Sequence, residues 1–142
     1  MRVLLDTNIL MTYLSGRDDR FTSACEQIVQ MCASEQIEGV VAFHSLSTIW
    51  YLTRKAPEEL RRGYIKRICL LFSIAGADND AVLKAIENET FRDFEDALQD
   101  CCAAEADCDF IITANIKDFI GHSQVNVKSP DELLALVSGN QA

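Results

Sequence analysis

The sequence has few of the residues that divide a chain into modules, with only two prolines and six glycines among 142 residues. Hydrophobic residues make up 49% of it, so the chain can bury a core of its own. No repeat, linker or low-complexity tract interrupts it. We therefore expect a single domain over residues 1–142.

Long hydrophobic runs are also missing. No run approaches the ~18 apolar residues that a membrane-spanning helix needs. Asp6 stands too close to the first residue to leave room for the apolar stretch of a secretory signal. We expect a cytoplasmic protein with no membrane partner.

The six cysteines lack the paired spacing of a zinc ribbon or of a C-x-x-C redox site. Unpaired cysteines in a reducing cytoplasm serve mostly as small apolar residues. Cys25 and Cys32 are seven residues apart, which puts them on one helical face. We expect the cysteines to pack in the core, without a metal or disulfide role.

Positive charge is scarce, since 13 lysines and arginines face 22 acidic residues, for a net charge of −9. Surfaces that bind nucleic acid are usually basic, so any such contact must be local, or the partner is a basic protein segment. The sequence contains one basic stretch. We favour its interpretation as a solvated helix face; the alternative is a surface that binds the phosphates of a nucleic acid. The stretch consists of Arg54, Lys55, Arg61, Arg62, Lys66 and Arg67.

Short apolar runs alternate with amphipathic helical patterns along the chain. The predicted strands are Val3–Leu5, Val40–Phe43, Ser73–Ala77, Phe110–Thr113 and Val125–Val127. The predicted helices are Ile9–Leu14, Cys25–Cys32, Ser45–Lys55, Leu60–Phe72, Asp78–Ile86, Asp93–Ala106 and Ser129–Val137. This alternation predicts an α/β fold with a central parallel sheet flanked by helices.

Three aspartates stand where an apolar run or a helix meets a turn: Asp6 in VLLDTN, Asp96 in DFEDALQ and Asp118 in FIITANIKDF. Parallel sheets place their binding sites beyond the carboxyl ends of the strands. Carboxylates gathered there repel one another, and a divalent cation normally neutralises such a cluster. We therefore predict a metal site that supports phosphodiester chemistry.

Each aspartate also has a structural interpretation. Asp6 could cap the following helix, and Asp96 could complement the dipole of its own helix. We favour metal binding because the three segments occur together. Neighbouring polar residues are candidates for supporting roles, namely Thr7, Asn8, Asp93, Glu95, Thr113 and Asn115. His44 and His122 lie outside these motifs, so we expect no histidine acid–base chemistry.

In VLLDTNIL, DFEDALQ and IITANIKDF the chain resembles the PIN domain family, which includes the VapC-type toxin ribonucleases of toxin–antitoxin pairs. The segments occur in the family's order, and the resemblance extends to about PDELL. It implies Mg²⁺ or Mn²⁺ held by acidic residues, cleavage of RNA, a small antitoxin protein and a homodimer. By position, Asp6, Asp96 and Asp118 become the catalytic, metal-binding acids, with Thr113 and Asn115 beside them.

The chain departs from the family pattern at two positions. Thr48 stands where many members have an acidic residue, and Ala114 where members often have arginine. Either a subgroup does without that acid, or Glu95 or Asp93 supplies the charge. The alternative function is a catalytically weak or inactive PIN-like domain that binds RNA or protein.

Two unrelated families also place an aspartate after the first strand. A haloacid dehalogenase-type phosphatase needs a second acid two residues later, where this chain has Asn8. A response-regulator receiver domain needs paired acids near its first strand, and here there is one. Neither family accounts for all three segments.

Overall fold

The computed structural model describes residues 1–16 and 18–140, within which five strands and seven α-helices alternate. The strands are β1 (Arg2–Leu5), β2 (Glu38–Ala42), β3 (Ser73–Ala75), β4 (Phe110–Ile112) and β5 (Asn126–Lys128). The helices are α1 (Thr7–Ser15), α2 (Thr22–Ala33), α3 (Phe43–Leu52), α4 (Glu58–Leu71), α5 (Asn79–Glu87), α6 (Phe94–Glu105) and α7 (Pro130–Asn140).

The predicted elements all occur, with ends that differ by a few residues. Strand β2 ends at Ala42 because Phe43 already belongs to α3. Helix α3 in turn ends at Leu52, before the predicted Lys55, where the Thr53 hydroxyl donates to the Ile49 carbonyl (2.7 Å). The predicted α/β fold is confirmed.

The strands form one sheet in the order β3-β2-β1-β4-β5, and all neighbouring pairs are parallel. The sheet first grows from β1 towards β3 and then restarts on the other side of β1 with β4. At such a switch point the two connections leave in opposite directions and open a crevice beyond the strand ends. Asp6 follows β1 and Thr113 follows β4, so both lie at this crevice.

Both faces of the sheet are buried because successive side chains of a strand point to opposite faces. Val3 and Leu5 pack into a core with α1, α2, α3, α4 and α7, whereas Leu4 packs into a second core with α5 and α6. Cys25 and Cys32 lie in the first core, as their spacing predicted. All six cysteines are unpaired.

The basic stretch that spans α3 and α4 makes contacts within the protein itself. Arg61 lies 3.8 Å from the centre of the Trp50 ring and donates to the Trp50 carbonyl. Arg62 forms an ion pair with Glu58. None of the helices in the described ranges is long and apolar enough to cross a membrane.

Gly39 sits in β2 where a side chain has no room. A Cβ there would lie 2.6 Å from Phe72 Cδ1 and 2.8 Å from Cys32 Sγ. We expect Gly39→Ala to lower the free energy of unfolding by about 1–3 kcal/mol, since overpacking a core forces its neighbours to shift. Urea denaturation measures the change.

Gly63 is the matched control because it lies in α4, where no atom of the described residues comes within 4 Å of an added Cβ. Gly63→Ala should stabilise the protein by roughly 0.5–1 kcal/mol, since alanine favours helix over glycine. Equal effects of the two substitutions would contradict the close packing at Gly39.

Candidate metal centre

Asp6 joins the central strand to α1, and its side chain is only 4% exposed. Its Oδ1 accepts a hydrogen bond from the Thr7 backbone N–H (2.8 Å), so Asp6 caps α1 as its structural interpretation predicted. Its Oδ2 accepts from Thr113 Oγ1 (2.8 Å) and Asn8 Nδ2 (3.2 Å). The carboxylate is therefore fixed at the crevice by neighbours from both central strand ends.

Helix α6 brings two more carboxylates to the crevice. Asp93 caps this helix by accepting from the Glu95 backbone N–H (2.9 Å), so Glu95 and Asp96 fall in its first turn. Asp6, Glu95 and Asp96 each offer one oxygen, and these oxygens lie within 4.8 Å of one another. Glu95, predicted as a supporting residue and as one possible source of the missing charge, thus lies in the acidic group itself.

The acidic group opens into a cleft of about 420 Å³. Asp118 is exposed on its wall, in a 3-10 turn at Ile116–Asp118, and Asn115 lines it just before that turn. Asp118 is not one of the three mutually close carboxylates. The structure therefore brings Asp6 and Asp96 together and places Asp118 farther out, on the wall of the same cleft.

Burial and mutual repulsion shift the ionisation of these groups. Burial raises the pKa of Asp6 to about 6. Burial, together with the charges of Asp6 and Glu95, raises the pKa of Asp96 to about 7. Burial alone would also raise the pKa of Glu95, but hydrogen bonds from His44 and Gln99 lower it below its ordinary value. Two of the three carboxylates are thus costly to ionise without a cation.

Two residues of the site were missed from the sequence. His44 Nε2 lies 3.1 Å from Glu95 Oε1. The fully buried Gln99 donates from Nε2 to Glu95 Oε1 (2.8 Å) and to Ser45 Oγ (2.8 Å). His44 follows β2 as Asp6 follows β1, and Gln99 is a polar residue one turn after Glu95. Those positions are the signals that could have identified them.

His44 lies outside the carboxylate motifs of the sequence, yet the fold brings it beside Glu95; that no histidine takes part in acid–base chemistry stays a prediction. Strand β2 is the neighbour of β1, so the start of α3 carries His44 to the same edge of the sheet. His122 lines a second depression, of about 400 Å³, that adjoins the first. The two depressions share Asp93, Asp96 and Asp118, and the second adds Arg92, Lys117 and His122.

The sequence model of the PIN domain family matches residues 2–117. The chain belongs to the PIN domain family. No curated protein matches it by sequence. Membership removes the phosphatase and receiver-domain alternatives, and the strand order β3-β2-β1-β4-β5 also differs from the 2-1-3-4-5 order of receiver domains.

Solved structures of toxin–antitoxin proteins are similar to this PIN domain. VapBC2 of Rickettsia felis, bound to a promoter DNA fragment, is 15% identical, with 91% of this chain and 98% of that chain covered at a TM-score of 0.70. VapBC-1 of nontypeable Haemophilus influenzae is 18% identical, with coverage of 92% and 99% at 0.68. VapC20 of Mycobacterium tuberculosis, a toxin that cleaves the sarcin–ricin loop, is 15% identical, with coverage of 87% and 98% at 0.63. At these identities the likeness shows a common fold.

PIN nucleases use divalent metal ions, and the donor set of this PIN domain fits one. Its closely spaced ligand atoms are carboxylate oxygens, which are the ligands that Mg²⁺ and Mn²⁺ prefer. Burial, together with the charges of neighbouring carboxylates, raises the pKa values of Asp6 and Asp96, and a cation would relieve the cost of ionising them.

Without a divalent cation, the protein should become more stable as the pH falls from about 8 to about 5. Asp6 and Asp96 have pKa values of about 6 and about 7 in the folded state, above the ~3.9 of an unfolded aspartate. The folded state therefore binds more protons between these values, and its stability declines as the pH rises through them. Melting temperatures in EDTA measure this dependence.

Asp96→Asn removes one of the two shifted groups and should flatten the profile. Mn²⁺ should raise the melting temperature of the wild type most at the upper end of the pH range, where both aspartates are charged. A wild-type melting temperature that climbs with pH across this window would contradict the raised pKa values of Asp6 and Asp96.

Proposed function

We propose that this PIN domain is a metal-dependent endoribonuclease that hydrolyses RNA phosphodiester bonds and serves as the toxin of a toxin–antitoxin pair. The observation that supports it most is the group of three carboxylate oxygens within 4.8 Å at the crevice. Asp6, Asp96 and Asp118 are the proposed catalytic and metal-binding residues. Mg²⁺ or Mn²⁺ is the proposed cofactor.

A divalent cation, when bound, supplies positive charge for the phosphate oxygens and lowers the pKa of water. The protein's own residues hold the ligand side chains in place. Thr113 and Asn8 hold Asp6 Oδ2, and the Thr7 backbone holds Oδ1, so this carboxylate is fixed as a ligand rather than free to attack. Asp118 and Asn115 lie on the exposed wall of the cleft, where we propose that Asp118 contributes to the metal site and that Asn115 contacts substrate or water.

The chain has a net charge of −9, so a contact with RNA must be confined to a local basic surface, and the second of the two adjoining depressions offers one. Arg92 and Lys117 are exposed and line the second depression beside the acidic group. RNA carries a phosphate at every nucleotide, so one phosphate at the carboxylates puts a flanking phosphate within reach of a basic neighbour. We propose that RNA contact is local and involves this depression.

An antitoxin partner is supported by the similar structures, which include VapBC complexes and a toxin–antitoxin complex from Klebsiella pneumoniae. A basic segment of a small protein would complement this acidic chain. Purification from the native host should give the chain together with such a protein and without nuclease activity. Recovery of abundant, active and partner-free chain would argue against it.

A homodimer stays a prediction, which sedimentation of the purified protein can test.

One observation favours a second function, RNA or protein binding without catalysis. Thr48 lines the cleft where many family members have an acid, so the site has one carboxylate fewer to neutralise a cation. Measurements of metal binding and of RNA cleavage distinguish the nuclease from the inactive binding domain, because a binding domain needs neither a metal nor catalysis.

Cleavage of mixed RNA by the purified protein should require Mg²⁺ or Mn²⁺ and should stop in EDTA. Asp6→Asn and Asp96→Asn should each reduce the rate by about 100-fold or more, since each removes charge that holds the cation. Gel analysis of RNA fragments measures the rate, and circular dichroism checks that each variant is folded. Folded variants as active as the wild type would refute the proposed site.

Lys117→Ala separates RNA binding from chemistry. It should raise KM and reduce the slope of log affinity against log salt by about 1 with little effect on kcat, because it removes one phosphate contact. Lys66→Ala is the matched control, an exposed lysine on α4 that lines neither depression. A larger effect at Lys66 would move the RNA surface to the basic stretch.

A further inference from the structure

Thr48, the position where many family members have an acidic residue, lies on α3 and faces the cleft. Thr48 lines the cleft together with Asp6 and Asp96, so a carboxylate at this position would join the group. The Thr48 hydroxyl instead donates to the carbonyl of His44 in its own helix (3.3 Å). It brings no charge to the cleft. His44 lies one turn earlier on the same face of α3, and its ring faces Glu95.

Glu95 stands where a replacement carboxylate is needed. It offers an oxygen within 4.8 Å of those of Asp6 and Asp96. Hydrogen bonds from Gln99 Nε2 (2.8 Å) and His44 Nε2 (3.1 Å) both reach Oε1. The Thr7 hydroxyl also lies 3.4 Å from Oε1, so three donors converge on this oxygen and none of them uses Oε2.

Gln99 is fully buried, so its amide must form its hydrogen bonds with the neighbouring protein atoms. The residue has no solvent exposure, and its Oε1 has no hydrogen-bond partner among the residues that the structure describes. Its Nε2 lies within hydrogen-bond distance of Thr7 Oγ1 (3.1 Å), Ser45 Oγ (2.8 Å) and Glu95 Oε1. An amide nitrogen beside a carboxylate must donate to it, so the amide orientation follows from Glu95.

We propose that Glu95 supplies the carboxylate that is absent at Thr48, and that His44 and Gln99 are the positioning residues that hold it towards the cation. The inference rests on the proposed metal-dependent function. It adds Glu95 to the proposed cation ligands, so that two of them, Glu95 and Asp96, come from the same turn of α6. Its separate consequence is that cation affinity depends on α3 through His44, although α3 carries no acid.

Calorimetric titration of the protein with Mn²⁺, in the absence of RNA, tests the assignment. Glu95→Gln keeps the size of the side chain and loses its charge, and it should weaken Mn²⁺ affinity by about 10-fold or more. Asp93→Asn removes an equal charge two residues away and keeps the helix cap, so its loss should be much smaller. Glu105→Gln, at the exposed end of α6, should bind as the wild type does.

A second pair of variants tests the positioning role. His44→Phe keeps a ring and removes the hydrogen bond, and it should weaken Mn²⁺ affinity by about 10-fold in the wild type. In the Glu95→Gln background the same change should have little further effect, because a residue that acts through another is not additive with it. Thr48→Glu should restore affinity to Glu95→Gln. Thermal unfolding confirms that each variant is folded.

The proposal is overturned if Glu95→Gln binds Mn²⁺ as the wild type does, if Asp93→Asn loses as much affinity, or if the effects of His44 and Glu95 add. A wild type that binds no Mn²⁺ also overturns it. RNA cleavage reports separately on the proposed function. Metal affinity lost in Glu95→Gln with no cleavage by the wild type would refute the nuclease alone, whereas cleavage with Glu95→Gln unimpaired in binding would refute this inference alone.

Discussion

Repulsion among Asp6, Glu95 and Asp96 is the constraint on which the rest of this structure depends. Three carboxylate oxygens lie within 4.8 Å of one another, and burial adds to their repulsion in raising the pKa values of Asp6 and Asp96, so charging both aspartates destabilises the fold. The protein tolerates it because the aspartates sit on a rigid frame. Two apolar cores bury both faces of the sheet, and they stabilise the strands whose ends carry the site.

The strand order explains why residues far apart in the sequence meet at this frame. With β1 between β2 and β4, the segments that follow these three strands all begin at one edge of the sheet. Asp6, His44 and Thr113 come from those three segments. Helix α6 adds Glu95 and Asp96 through its first turn. The site thus forms where several segments meet at one edge of the sheet, and no single segment contains it.

The sequence was sufficient for the parts of the site that depend on one element each. Strand ends and helix starts are local patterns, so the α/β fold and the positions of Asp6 and Asp96 at the crevice followed from them. Gln99 lies one turn after Glu95 in α6 and could have been found from that spacing. His44 was not found because its role depends on a contact between α3 and α6. Such a contact depends on which strands are neighbours in the sheet, and periodicity does not determine that.

The absence of an acid at Thr48 changes how the site is built. A carboxylate on α3 would give the cation ligands from an additional helix, whereas Glu95 and Asp96 follow one another in α6 and move together. The geometry of such a pair depends on the start of α6, which the Asp93 cap fixes, and on what holds Glu95 against repulsion by its neighbours. Donors from His44 and Gln99 stabilise the ionised form of Glu95, while burial favours protonated Asp6 and Asp96. Glu95 is therefore the carboxylate of the three that stays charged at the lowest pH. Below the pKa values of Asp6 and Asp96, a cation would have to displace protons from both aspartates, so its affinity should fall as the pH falls.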